Sequence, residues 1–376
     1  MSETSVGLPA AVDVVVVGAG IVGLSHALEA HERGASVLVL ERDDRPVGAS
    51  VRNFGHISVT AQAGDARRAA ERARTRWIEV AGHAGFDLLE CGTVVVARAV
   101  EELAVLEEFA DGRADSVELL SGSEVRCRAG VGDPAVLGGA FFPLDLRVDP
   151  RVTAPSIASW LETRGVRFGW STNVLAVDSG MVRTNRGAVE AHSIVLAVNH
   201  DLDRFAPELA VSVGLRRCEL EMLRVTGPVP ANPDGPAVLT GSSLLRYDGF
   251  ASCPSLGALR DRVRRERPEL LEHVVNLMLT HRPDGSIQLG DTHVYAATLD
   301  PFPPESLAEL LLDEASTLLG TDELAVQERW RGVYASTDEP FVVAAPAPGV
   351  LAVTVGSGIG MSTAPGLAAE TIERVL

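Results

Sequence analysis

The stretch from Val14 to Glu41, VVVVGAGIVGLSHALEAHERGASVLVLE, constrains the fold of this 376-residue chain more than any other part of it. Val14–Val17 is a β-branched run of the kind buried on both faces of a parallel sheet. Gly18, Gly20 and Gly23 then fall on the G-x-G-x-x-G spacing. A helical pattern follows, with Ile21, Val22, Leu24, Ala27 and Leu28 on its inner side, and it ends at Gly34. Val37–Leu40 predicts a second strand, capped by Glu41. Gly18 permits the tight turn, Gly20 lets backbone approach a pyrophosphate, and Gly23 lets helix and strand pack closely. The helix N-terminus offers free N–H groups and a positive dipole end to phosphates, while Glu41 is placed to accept from ribose hydroxyls. This is a dinucleotide site, and taken alone it admits NAD as well as FAD.

Bulk properties narrow the partners. A net charge of −18 argues against nucleic acid or an anionic membrane surface. An anionic substrate must then be held by local positive groups, and all 33 basic residues are arginine. The absence of lysine excludes Schiff-base chemistry on the chain and lysine-assisted oxygen activation. Cys91, Cys127, Cys218 and Cys253 are scattered with no C-x-x-C pair, so neither a zinc site nor a disulfide framework is indicated. No apolar run reaches membrane-spanning length, and MSETSVGLPA lacks a basic region followed by an apolar core. The expectation is a soluble cytoplasmic protein with no metal site.

Further along, residues 41–58 read as a loop rich in Gly, Asp and Arg. Helical periodicity covers Ala66 to Ala81 and Glu101–Phe109, and Ala140–Leu146 predicts a strand broken by Pro143. A helix leads to Arg164. Short strands follow at Val166–Phe168, Val174–Val177, Met181–Thr184 and Ser193–Val198. From Cys218 to Trp330, strands such as Glu219–Val225 and His293–Ala297 alternate with helices near 257–278 and 305–319. Val350–Val355, a glycine turn and a helix to Leu376 repeat the opening logic.

Several of these pieces, in this order, resemble the FAD-dependent oxidoreductases of the D-amino-acid oxidase and glycine oxidase type. VVVVGAGIVGL and VLVLE resemble their ADP-binding unit, and DDRPVGAS the loop that approaches the flavin pyrophosphate. NVLAVDSGMVRTNRGAVEAHSIVLAVN resembles their strand pair ending near the flavin, with Asn199 where glycine is usual. PGVLAVTVGSGIGMSTAPGLA resembles the carboxy-terminal motif that closes over the isoalloxazine. GASVRNFGHIS and the segment from Trp330 onward resemble a subgroup associated with aminophosphonate breakdown, in which His56 replaces an expected apolar residue.

The resemblance implies an α/β fold: a Rossmann-like FAD-binding domain from 11–84, 147–205 and 331–376. An α+β substrate domain, 85–146 and 206–330, would be inserted into it on an antiparallel sheet. It implies FAD held by Gly18, Gly20, Gly23, Glu41, Arg42, Ala49, Ser50, Val174, Gly356, Gly358, Ile359, Gly360 and Met361. Glycine-oxidase-like enzymes carry a G-L-R-P arginine that clamps the substrate carboxylate; here Gly332-Val333-Tyr334-Ala335 stands in its place. Arg52 becomes the leading anion clamp, with Arg331 and Arg329 behind it, and His56 and Tyr334 complete the candidate catalytic set. The implied reaction oxidises a C–N bond in a small anionic amine, an aminophosphonate, by hydride transfer to flavin N5 and imine hydrolysis. Oxygen or another acceptor would take the electrons. Sarcosine, glycine or a D-amino acid is the alternative substrate. An NAD-dependent dehydrogenase and a non-catalytic flavoprotein are the readings from other classes.

Overall fold

A computed structural model describes residues 7–229 and 232–376; the opening residues 1–6, read above for targeting signals, lie outside them. The valine run forms strand Ala11–Val17, fully buried from Val14 to Val16, because parallel strands are covered on both faces. It lies between Val37–Leu40 and Gly187–Leu196, and all three are parallel. Arg167–Gly169 extends the parallel set on one side and Val350–Ser357 on the other. Helices Ile21–Glu32 and Gly360–Thr371 both start at the carboxyl ends of these strands. A doubly wound sheet binds its ligand at that edge.

The sheet does not stop at Val350–Ser357. Ala325–Ala347 pairs antiparallel with it and, through its earlier half, with Arg216–Thr226. Ile287–Gly290, Met278–His281 and Ala237–Leu239 continue the antiparallel series. Ala237–Leu239 then runs parallel to Thr93–Ala97, a local departure from the expected antiparallel substrate sheet. One long strand therefore joins the two halves, and the boundary drawn at residue 330 falls inside it.

One local expectation is corrected and another is met. The helix near 257–278 ends at Glu266, because Pro268 cannot donate to it; a short turn Pro268–Glu272 follows, and Met278 already lies in a strand. The break expected at Pro143 is present, with Gly138–Phe142 and Leu146–Val148 as separate strands on either side of it.

The apolar core separates accordingly. Val14, Val16, Leu24, Trp77, Val353 and Leu367 pack on one face of the parallel sheet, and Val15, Leu38, Leu196 and Ala352 on the other. Burying side chains of this size stabilises by about 1.5–3 kcal/mol each. Phe109, Phe142 and Phe250 stack beneath the antiparallel half, with ring centroids 4.4–6.4 Å apart. Among the described residues, no helix is long and apolar enough to cross a membrane.

Candidate active site

A cavity of about 540 Å³ runs across the carboxyl ends of the parallel strands and continues under the antiparallel sheet. Its first end is set by Glu41. The Glu41 carboxylate accepts from Ala19 N at 2.9 Å and Asp43 N at 3.2 Å, which leaves lone pairs for ribose hydroxyls. Val174 lies beside it and Arg42 borders the same end, its guanidinium 2.7 Å from Asp201.

The glycine turn forms the middle. Gly18 has φ of 104°, and a Cβ there would sit 2.5 Å from the Ala197 carbonyl; a Cβ on Gly23 would meet the Gly18 carbonyl at 1.9 Å. Neither position admits a side chain, so strand, turn and helix close onto one another as the spacing requires. Ser50, from the loop after the second strand, accepts from Ile21 N at 2.8 Å, and Ala49 lines the cavity beside it. Gly20 and the remaining first-turn N–H groups face this space.

The far end is built by the carboxy-terminal turn. Gly358 has φ of 75°, and a Cβ would lie 2.8 Å from the Tyr334 ring. Gly358, Ile359, Gly360 and Met361 line the cavity at the start of the last helix. Trp77 Nε1 donates to the Met361 carbonyl at 2.8 Å and fixes its height. Gly356 is different. It is absent from the cavity wall and turns against Thr337, whose Oγ1 would be 1.8 Å from a Cβ, so its need for glycine comes from strand packing. The cradle as a whole fits FAD: an acid at the ribose end, two helix N-termini along the phosphates and flavin, and backbone free of side chains where a planar ring would lie.

The substrate end contains the three candidate catalytic residues and one that the sequence reading missed. Tyr334 is buried at the point where Ala325–Ala347 passes from Arg216–Thr226 to Val350–Ser357. Its hydroxyl accepts from Arg246 Nη2 at 3.3 Å. Arg246 also donates to the Ser357 carbonyl at 3.2 Å and to His293 Nε2 at 3.4 Å. All three partners are neutral, because burial pushes the Tyr334 phenol up and the His293 imidazole down to about 3. The guanidinium thus lines the cavity with no carboxylate among its hydrogen-bond partners.

Arg52 also lines the cavity, but it is exposed and donates only to the Arg331 carbonyl, at 3.3 Å. Arg331 pairs with Glu219 and Arg329 with Glu305, and neither reaches the cavity. His56 reaches the wall, yet its Nε2 is engaged by Thr93 Oγ1 at 2.7 Å and Asp145 Oδ2 at 3.3 Å. Burial works against the Asp145 charge, but His56 and the N–H groups of Thr60 and Val59 hold its carboxyl below the usual range. His56 is therefore tied into a structural network at the cavity edge.

Asn199, standing where related enzymes have glycine, keeps a positive φ of 54°. Its Oδ1 accepts from Ala335 N at 2.8 Å and its Nδ2 donates to the Val333 carbonyl at 3.3 Å, so it clasps the backbone on both sides of Tyr334. Arg246 could have been noticed in SSLLRYDG only as an arginine next to a tyrosine in an apolar segment, a weak signal. No cluster of three or more metal-ligating side chains occurs among the described residues.

Comparison with known proteins agrees with this geometry. The model of the DAO family, FAD dependent oxidoreductase, matches residues 13–374. The bifunctional protein ThiO/ThiG of Nostoc sp. is 26% identical over 243 residues, covering 59% of this chain and 35% of that protein, so the chain spans about a third of that relative's length. The glycine oxidase of Geobacillus kaustophilus superposes with a TM-score of 0.78 at 19% identity, covering 98% of this chain and 96% of that one. The FAD-bound L-alpha-glycerophosphate oxidase of Mycoplasma pneumoniae gives 0.75 at 17% identity, covering 97% and 94%. At these identities the structural likeness shows the fold alone.

Proposed function

The chain belongs to the DAO family of FAD-dependent oxidoreductases, and from that premise we propose that it oxidises the C–N bond of a small anionic amine, an aminophosphonate. The observation that carries this reading is the Arg246 guanidinium, which faces the cavity with only neutral hydrogen-bond partners. A half-buried cation with no carboxylate bonded to it is ready for a ligand that supplies the anion. FAD, when bound, supplies the two-electron acceptor for the substrate's α-carbon hydride.

The chain's own residues bind and orient. Arg246 would meet the anionic end through its free Nη1, while His293, Tyr334 and the Ser357 carbonyl hold the rest of the guanidinium in place. Phe54, Leu220 and Met278 wall the cavity and exclude water from the reacting carbon. The last helix, beginning at Gly360, brings a positive dipole end to the place where negative charge develops on reduction. Arg52, exposed at the rim, would act in capture of the anion rather than in holding it. Catalysis on this reading is chiefly orientation.

The aminophosphonate assignment draws on the loop GASVRNFGHIS and on Tyr334 replacing the carboxylate-clamping arginine. A carboxylate substrate such as glycine or sarcosine is the second reading, favoured by the free Nη1 of Arg246, which can donate to a carboxylate as well as to a phosphonate. Anaerobic mixing of the holoenzyme with 2-aminoethylphosphonate, its N-methyl and 1-hydroxy forms, glycine, sarcosine and D-alanine separates them. Flavin bleaching by the phosphonates is expected. Bleaching by glycine or D-alanine and by none of the phosphonates would replace the first reading with the second.

A further inference from the structure

The cavity wall holds an ionisable group that this binding scheme leaves unused. Asp291 follows strand Ile287–Gly290 and exchanges backbone hydrogen bonds with Asn276, N to O at 3.0 Å and 2.9 Å. Asp291 and Asn276 are both buried, and both line the same cavity as Arg246 and Tyr334. Asp291 Oδ1 has no hydrogen-bond partner, and neither has Asn276 Oδ1 beside it. Two acceptor oxygens, buried in residues that wall a cavity, are expensive to leave unsatisfied. They ask for a donor, and an ammonium group offers three N–H bonds and a positive charge.

Among the described residues Asn276 donates to the Asp291 carboxyl, but it brings no charge, and no cationic side chain bonds to it. The nearest basic nitrogen, His293 Nδ1, lies 3.9 Å from Asp291 Oδ1 and is committed to the Val274 carbonyl at 2.8 Å. Tyr247, Tyr295 and Cys218 face the same region, and burial pushes all three upward, so they stay neutral at physiological pH. Arg246 is the standing cation that Asp291 senses, and its hydrogen bonds go elsewhere. One cavity thus carries a guanidinium and a carboxylate that feel each other's charge without bonding to each other.

We infer that Asp291 is the amine-side catalytic residue: it receives the substrate ammonium and takes one of its protons before the C–H bond is broken. The inference rests on the amine-oxidation reading above and adds the recognition of a zwitterion, anion on Arg246 and nitrogen on Asp291. The step balances simply. The ammonium N–H bond breaks, its electron pair stays on nitrogen as the free amine lone pair, and the proton forms the Asp291 O–H bond. That lone pair is what a departing hydride requires, since the developing cation is shared with nitrogen. The proton leaves to water when the product goes. Burial pushes the Asp291 carboxyl up to about 7, against the opposing pull of Arg246 and Asn276, which suits a proton acceptor near neutrality.

The test uses holoenzyme, with Asp291→Asn and Asp291→Glu beside the parent, reduced anaerobically by 2-aminoethylphosphonate and by glycine between about pH 5.5 and 9.5. Flavin reduction in the parent should rise along an acid limb centred near 7. In D291N the rate near neutrality should fall about 100-fold and that limb should vanish, while D291E recovers part of the rate. Ethylphosphonate, which lacks the amine, should perturb the flavin spectrum with unchanged affinity in D291N. A D291N enzyme with the parent's limb and a rate within about twofold would overturn the inference. So would a matching loss of ethylphosphonate affinity, which would make Asp291 a prop for Arg246. If D291N fails to retain flavin, a parent profile without the acid limb overturns it on its own. A parent that neither amine reduces would instead overturn the amine reading, and this inference with it.

Discussion

Arg246 and Tyr334, 88 residues apart in sequence, share a 3.3 Å hydrogen bond at the seam between the two halves of the sheet. The tyrosine comes from the strand that joins those halves, and the arginine from the turn after helix Gly241–Leu244. The strand thus contributes a phenol to the cavity wall, and the guanidinium bonded to it comes from a separate segment.

Removing that guanidinium should therefore raise the KM of the reducing amine. Arg246→Ala is expected to cost about 10- to 100-fold, the loss of charge-assisted hydrogen bonds, with a smaller change in the limiting rate of flavin reduction. Arg52→Ala, removing an exposed side chain, is expected to change KM by less than about threefold. Stopped-flow reduction at varied substrate checks both. A larger effect at Arg52 than at Arg246 would return the anion clamp to the rim.

Tyr334→Phe keeps the ring that packs against Gly358 and deletes one hydrogen bond to Arg246. The expected result is a KM increase of about 3- to 10-fold with normal flavin content. Gly358→Ala acts on the same contact from the other side. A left-handed φ of 75° and a Cβ 2.8 Å from the Tyr334 ring leave alanine no room. The ratio of flavin to protein absorbance should fall in G358A and stay at the parent value in Y334F.

Asn199 holds a positive φ and clasps the chain around Tyr334, two roles that substitutions separate. Asn199→Gly retains the backbone conformation and loses the clasp; Asn199→Ala loses both. Thermal unfolding should rank alanine below glycine by about 1 kcal/mol, while both raise KM alike. Equal stabilities would mean that the backbone conformation carries no strain for alanine.

His26 links the two helices whose N-termini face the cofactor: its Nδ1 bonds the Val22 carbonyl at 2.7 Å and its Nε2 meets Thr371 Oγ1 at 2.8 Å. Burial pushes this imidazole down to about 4, against the pull of the Val22 carbonyl and Glu29. The folded state thus binds its proton more weakly than the unfolded chain does. Its contribution to stability is present above the ordinary histidine value near 6.5 and is lost as pH falls through about 4. His26→Gln should flatten the decline of Tm over that window, and an unchanged slope would assign the acid sensitivity to other groups.

What the chain alone determined is what local backbone rules can express. The turn at Gly18–Gly23, the acid Glu41, the loop serine Ser50 and the glycine turn at Gly358 all lie within a few residues of the strands and helices that aim them. Their spacing and their need for glycine are written in consecutive residues, so the parallel sheet and the glycine turns that line its cavity were legible. Gly356 shows the limit of that reading, since its glycine answers to Thr337 across a strand pair rather than to the ligand.

The substrate end was decided by tertiary structure. Arg246, Asp291, Asn276 and Tyr334 come from four segments with no shared period, and only the antiparallel sheet running on from the parallel one collects them around one cavity. Sequence favoured Arg52 because it adjoins the flavin loop, and it could not see that Arg52 would be exposed while a distant arginine was half-buried among neutral hydrogen-bond partners. Charge in a binding site gains its strength from desolvation, and desolvation depends on which surfaces pack together, not on the order of residues along the chain.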